Sequence, residues 1–197
     1  MITKRKGISM NLIEENILKE IEENWVDQHY DKQQRDVFVK TLRDRNIKYC
    51  LETGFCAGAS SATVLATTKP DKMVSVGLAA NNMEVATKLT DQYNFKLVVG
   101  DSTQILNKEF MEEEFPNGID FYHVDGGHDG LVPLLDLQVC LEHLNDDFLI
   151  IVDDYNSKLC PLPDVEDAVD TFIQQTKFKM ELVTTESGKG MAFITKE

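Results

Sequence analysis

From residue 47 onward, short apolar runs alternate with helix-length amphipathic stretches, and this alternation restricts the fold more than any other feature of the chain. Ile47–Leu51, Met73–Val76, Phe95–Val99, Ile119–Val124 and Phe148–Val152 read as strands. Ser60–Ala66, Met83–Tyr93, a short segment around Gln104–Phe110 and Val132–Leu144 lie between them and carry helical spacing. Val165–Thr176 follows the fifth strand, opened by the helix-start pair Pro163-Asp164. Such alternation makes a parallel sheet with helices on both faces, because each parallel connection must travel back along the sheet. The end of the sequence breaks the rhythm. Phe178–Thr184 and Met191–Thr195 are β-like runs joined by Glu186-Ser187-Gly188-Lys189-Gly190, a hairpin signature that adds antiparallel pairing at one edge.

Ahead of this α/β region, Leu12, Ile13, Ile17, Leu18 and Ile21 recur at helical spacing, and Val37, Phe38 and Leu42 repeat the pattern after a break at Trp25–Tyr30. Residues 1–46 are expected to form helices that pack on the core or on a partner subunit of a homodimer, and residues 47–197 one globular unit. Charge narrows the partners. With 34 Asp and Glu against 20 Lys and Arg, the net charge is −14, a field that repels nucleic acid and anionic membrane surfaces. Lys4-Arg5-Lys6 is too short a basic patch to reverse this. Cys50, Cys56, Cys140 and Cys160 form no CxxC pair, which disfavours a zinc knuckle or a disulfide framework. No apolar run approaches the ~20 residues that span a bilayer, and Met1 leads into charged sequence, so a soluble cytoplasmic protein is expected.

The first strand ends in Leu51-Glu52-Thr53-Gly54-Phe55-Cys56-Ala57-Gly58-Ala59-Ser60 and passes into a helix. Gly54 and Gly58 allow a sharp turn and close approach of a ligand to the backbone, although glycine also serves any strand-to-helix turn. Glu52 places a carboxylate at the end of a buried strand, where a charge is costly without a partner. A cationic ligand group, such as an amino group, would suit it.

Three later strands also end in acids: Gly100-Asp101-Ser102, Asp125-Gly126-Gly127-His128 and Asp153-Asp154-Tyr155. Each directly follows an apolar run, so all belong on one rim of the sheet. If the fourth and fifth strands are neighbours, Asp125, Asp153 and Asp154 converge, and a divalent cation such as Mg²⁺ would relieve their repulsion. Aspartates at strand ends also cap helices, which is the competing reading. His128, three residues beyond Asp125, would lean over the same rim as a general base, or else sit as an exposed loop side chain. His123 alternates with Phe121 and Asp125 within its strand and reads as a packed residue, and Glu112-Glu113-Glu114 as a solvated helix face.

In this order these segments resemble the class I methyltransferases that use S-adenosylmethionine, most closely the small O-methyltransferases of the macrocin type and more distantly catechol O-methyltransferases. The likeness runs from about Tyr49 to Lys196. It implies a Rossmann-like, seven-stranded, mostly parallel sheet with a C-terminal antiparallel hairpin. It implies cofactor contacts from Glu52, Gly54, Phe55, Gly58, Ser60, Asp101, Ser102 and Asp125, with the adenine near Asp101 and Ser102. By the same resemblance Asp125, Asp153 and Asp154 would hold Mg²⁺, and His128, with Asp125 beside it, would take a proton from a hydroxyl of a small substrate such as a sugar. One departure stands out. The second strand should end in an acid that grips the ribose, yet Met73–Val76 runs into Gly77-Leu78, leaving only Asn81 or Asn82 as substitutes. That departure gives an alternative: a catalytically silent member of the fold that binds a ligand or a protein.

Overall fold

The computed structural model describes residues 19, 32–78 and 83–196. The expected helix over Leu12–Ile21, the Lys4–Lys6 patch, Asn81 and Asn82 lie outside the described residues, apart from Lys19. Helix α1 (Lys32–Leu42) precedes β1 (Tyr49–Thr53), α2 (Ala59–Thr68), β2 (Lys72–Gly77), α3 (Met83–Gln92) and β3 (Phe95–Val99). Then come α4 (Ser102–Ile105), α5 (Lys108–Glu114), β4 (Ile119–Val124), α6 (Val132–Val139), β5 (Leu144–Val152), α7 (Pro163–Thr176), β6 (Lys179–Thr184) and β7 (Gly190–Thr195). The seven strands form one sheet in the order β3-β2-β1-β4-β5-β7-β6. β1 to β5 are parallel, and β7 runs antiparallel to both β5 and β6. The chain therefore builds outward from β1 to β3, then crosses back to lay β4 on the other side of β1. That reversal is the switch point where ligands bind in open α/β sheets.

Period-two alternation divides the strands between two cores. Cys50, Met73, Phe121, Leu149 and Ile151 face Phe38 and Leu42 of α1, Val64 and Leu65 of α2 and Leu89 of α3. Leu51, Val74, Tyr122, Ile150 and Val152 face Met111 of α5, Leu137 of α6 and Val169 and Phe172 of α7. Both faces of the central strands are covered, which is why their sequences are near-continuous apolar runs. Among the described residues no helix is long and apolar enough to cross a membrane.

Three details differ from the sequence expectation. The short helix around Gln104–Phe110 is two helices, because Asp101 caps one (Thr103 N–H donates to it at 3.0 Å) and Asn107 caps the next (Phe110 N–H, 3.0 Å). The helix expected to reach Leu144 stops at Val139; a 3₁₀ turn over Leu141–His143 follows, and β5 starts four residues ahead of Phe148, its first residue paired with Ile119. Glu114 does not belong to a solvated face. Its side chain is 7% exposed and binds Lys72 at 2.6 Å and also Lys96, and the two ammonium groups outweigh burial and hold its carboxyl below the ordinary value.

Candidate active site

A cavity of about 500 Å³ opens where the carboxyl ends of β1, β2, β3, β4 and β5 meet, a size typical of small-molecule sites. Its walls combine an apolar half, with Phe55, Val76, Leu78 and Val132, and an acidic end, with Asp125, His128, Asp153 and Asp154. Asp101 and Ser102 close the side at β3, and Gly77 and Leu78 the side at β2. Gly77, where an acid was expected, lines this side without a side chain, and the adjacent Leu78 is 75% exposed.

The glycine turn is needed, though for the protein's own packing. Gly54 has φ +98°, and a Cβ there would come within 1.8 Å of the Asp125 carbonyl oxygen. Gly58, at φ +83°, would meet the Phe55 ring at 2.7 Å, and it does not line the cavity. Phe55 contributes to the wall while its ring is buried on Phe95, centroids 5.8 Å apart.

Glu52 was expected to face a ligand cation. Its carboxylate instead is fully buried and satisfied from within: Ser60 Oγ donates at 2.6 Å, Ser75 Oγ at 2.5 Å and Ser61 Oγ also donates, while His123 Nδ1 lies 3.2 Å away. Neither Glu52 nor Ser60 lines the cavity. Their register explains this, since Glu52 sits opposite Ser75 on β2 and His123 on β4 in the face that α2 covers. His123 is packed, as its alternation implies, with its ring edge-on to Phe38 at 5.0 Å. Burial works against its charge, but the Glu52 hydrogen bond and the neighbouring acids win and raise its pKa. Its Nε2 is buried without a hydrogen-bond partner.

At the rim, the expected convergence of the fourth and fifth strands holds: β4 pairs with β5, and the Asp153 N–H continues the ladder to the Val124 carbonyl at 3.0 Å. His128 Nε2 lies 3.5 Å from Asp125 Oδ1 and 3.9 Å from Asp154 Oδ2, so the imidazole sits between two carboxylates. Asp125 first, then Asp154 and Asp153, raise its pKa against the opposing effect of burial. Asp125, His128 and Asp154 place ligand atoms within 4.8 Å of one another, a spacing that one divalent ion can draw together; His123, Asp125 and Asp153 form a second such group. Asp153, however, already has partners. Gln34 Nε2 of α1 donates to both its oxygens at 2.8 and 2.9 Å, and Lys189 Nζ lies 4.0 Å from Oδ2.

Sequence reasoning missed Thr53, Cys56, Val76, Leu78, Gly126, Gly127 and Val132 of the wall, and Gln34 and Lys189 behind it. The wall residues adjoin the recognised motifs and could have been read from that adjacency. Gln34 and Lys189 had no local signal. It also missed Asp136 of α6, 1% exposed, whose carboxylate oxygens have no hydrogen bond of ordinary geometry although the Ser102 and Thr53 hydroxyls stand beside it. Burial pushes its carboxyl up to about 6.

Solved structures with this architecture include a methyltransferase of Podospora anserina with SAH bound (17% identity, TM-score 0.69, 98% of this chain and 91% of that one). An O-methyltransferase of Bacillus cereus, also in complex with SAH, aligns at 14% identity and TM-score 0.72 over 96% and 93%. The O-methyltransferase TomG of Streptomyces achromogenes, involved in tomaymycin synthesis and in complex with SAM, aligns at 15% and 0.70 over 97% and 92%. At such identities the likeness speaks for the fold. No curated protein matches by sequence. Residues 51–155, from the last apolar residues of β1 to the aspartate pair after β5, match a methyltransferase domain, and since this span is more than half of the chain, the protein belongs to that methyltransferase family.

Proposed function

We propose that the protein is an S-adenosylmethionine-dependent O-methyltransferase that acts, with a divalent cation such as Mg²⁺, on a hydroxyl of a small polyhydroxylated molecule such as a sugar. The observation that carries this reading is the cavity at the switch point, apolar along one half and closed at the other by Asp125, His128 and Asp154. Its volume and its two-sided lining fit a nucleoside-sized ligand, with Asp101 and Ser102 at one end and Gly54 in the wall between β1 and β4. The donor set fits a hard or borderline cation, with Asp125 and Asp154 as the carboxylates that would hold it.

When bound, S-adenosylmethionine supplies a methyl group on a sulfonium, and the cation lowers the pKa of the acceptor hydroxyl. The chain's residues do the rest. His128 would take the hydroxyl proton, and Asp125 and Asp154, 3.5 and 3.9 Å from its Nε2, would stabilise the imidazolium that results. The apolar wall excludes water, and the fixed rim aligns the acceptor with the methyl group, the main contribution available to a protein in such a displacement.

Calorimetry with S-adenosylmethionine, followed by methyl-transfer assays with polyhydroxylated acceptors, tests the reading. Binding in the micromolar range with transfer that stops in chelator is expected. His128→Ala should bind cofactor normally and lose turnover by roughly 10²–10⁴-fold, the usual share of general base catalysis, with partial recovery at high pH. Binding without transfer to any hydroxyl would favour a silent binding module, the reading that the apolar Gly77-Leu78 position supports. No cofactor binding at all would sink both.

A further inference from the structure

The buried Glu52 cluster and the acidic rim meet at His123. Its Nδ1 lies 3.2 Å from Glu52 Oε1, and Glu52 also accepts from the hydroxyls of Ser60, Ser61 and Ser75. An ionised carboxylate only accepts, so Nδ1 carries the N–H, and in the neutral ring Nε2 carries the lone pair. His123 is fully buried, and among the described residues its Nε2 has no hydrogen-bond partner. A buried polar atom left in this way calls for a partner. The sheet indicates where that partner stands. Asp125 lies two residues beyond His123 on the same face, its N–H continuing the ladder to the Thr53 carbonyl at 2.9 Å. Asp153 arrives beside it from β5, its N–H bonded to the Val124 carbonyl at 3.0 Å. A ring nitrogen of His123 and carboxylate oxygens of Asp125 and Asp153 lie within 4.8 Å of one another. Since Glu52 occupies Nδ1, Nε2 is the nitrogen that this group has available.

We infer that His123 is a direct ligand, through Nε2, of the cation held by Asp125 and Asp153, and that this nitrogen fits the site to a transition-metal ion such as Mn²⁺ ahead of Mg²⁺. The hydrogen-bonding pattern is the one that ligating histidines adopt, with the second ring nitrogen donating to a carboxylate that fixes tautomer and ring orientation. Here the fixing is strong, because Glu52 is itself held by three serines and the imidazole packs edge-on against Phe38. Asp153 remains open to a cation. Each of its oxygens accepts one hydrogen bond from Gln34 Nε2 and keeps a further lone pair. Asp125 belongs both to this group and to the one with His128 and Asp154, so an ion on Asp125 can draw on both. One imidazole among carboxylates moves the donor set from all-oxygen, which suits Mg²⁺, toward the nitrogen-containing sets of first-row transition metals.

The inference rests on the proposed reading in taking the rim to hold a divalent cation, and its test needs neither cofactor nor acceptor. The full chain is titrated with MnCl₂ alone, bound Mn²⁺ is counted by electron paramagnetic resonance, and nitrogen coupling to the ion is read by pulsed measurement. Wild type should bind one ion with the ¹⁴N coupling of a coordinated imidazole. His123→Asn should lose that coupling and weaken Mn²⁺ binding by about tenfold or more, a loss that even removal of a ligand's supporting partner produces. Mg²⁺ should displace Mn²⁺ less readily from wild type than from His123→Asn; the reverse order overturns the metal preference. Because a substitution at a buried position can prevent folding, a second variant, His29→Ala with His128→Ala and His143→Ala, leaves His123 as the last of the four histidines. Coupling retained in that variant can come from no other imidazole, and its disappearance overturns the assignment. Bound Mn²⁺ without nitrogen coupling in wild type overturns the inference while the carboxylate-held cation of the proposed reading stands. No bound Mn²⁺ removes the cation from both, with cofactor binding judged separately by calorimetry.

Discussion

A carboxyl group that stays buried without a good hydrogen bond is a reservoir of instability, and Asp136 is such a group beneath the candidate cofactor site. Its pKa, raised from 3.8 to about 6, means that the folded state holds this proton to higher pH than the unfolded state does. Stability contributed by the protonated form is therefore present below pH 3.8 and is lost as pH rises to about 6. Asp136→Asn should raise stability at pH 7.5 by on the order of 1–3 kcal/mol, the upper figure being the whole shift. Thermal melts of both proteins at pH 7.5 and pH 4 check this, because the gain should shrink at the lower pH. Gly54 behaves in the opposite way. Even the methyl group of Gly54→Ala would collide with the Asp125 carbonyl, in addition to strain at positive φ. The expected outcome is loss of several kcal/mol, about 3 or more given overpacking and backbone strain together, seen as a lowered melting temperature with loss of S-adenosylmethionine binding. Both residues show where a sequence is readable. Gly54 follows a strand and precedes a helix, so its need for glycine was visible; its reason, the backbone of a residue 71 positions later, was not. Asp136 lies inside a helix and reads as an ordinary polar position, since burial is a property of the assembled layers.

Among the elements, the sheet was legible almost throughout, because the central parallel strands, buried on both faces, are dominated by apolar runs of strand length. Boundaries were less legible where capping decided them. Asp101 ends β3's turn and starts α4 in one residue, accepting from both the Thr103 N–H at 3.0 Å and the Thr103 hydroxyl at 2.7 Å. This capping role and a place in the cavity wall coexist, so the competition between cap and ligand contact posed by the sequence does not arise at this residue. Asp101→Ala should cost about 1 kcal/mol through the lost cap, and it should weaken cofactor binding more than stability if the adenine reaches this wall. Asp101→Asn, which keeps the cap, separates the two effects in denaturant melts and calorimetry run side by side. The Glu52 cluster was the least legible feature. Its four partners come from α2, β2 and β4, and only the register of the sheet brings Ser75 and His123 opposite Glu52. An acid at the end of a strand gives no indication of whether its counterpart is a ligand or the protein.

Across the whole molecule, the strand order has a consequence for how the chain reaches its folded state. β7, the last strand in sequence, is inserted between β5 and β6, so the edge of β5 has no neighbour until Gly190–Thr195 has been made and docked. That edge is Phe148-Leu149-Ile150-Ile151-Val152, an apolar, uncharged, β-prone run without proline, the composition that pairs with copies of itself when left open. During synthesis the nascent protein therefore carries an open β5 edge that the hairpin later covers. Shortening the chain after Thr185 should yield insoluble protein on expression, and a soluble, monodisperse product of that length would show that another segment shields β5. The antiparallel strand thus serves as a guard against aggregation as well as the last member of the sheet, and its late arrival makes solubility the first property to fail when the turn around Lys189 is disturbed.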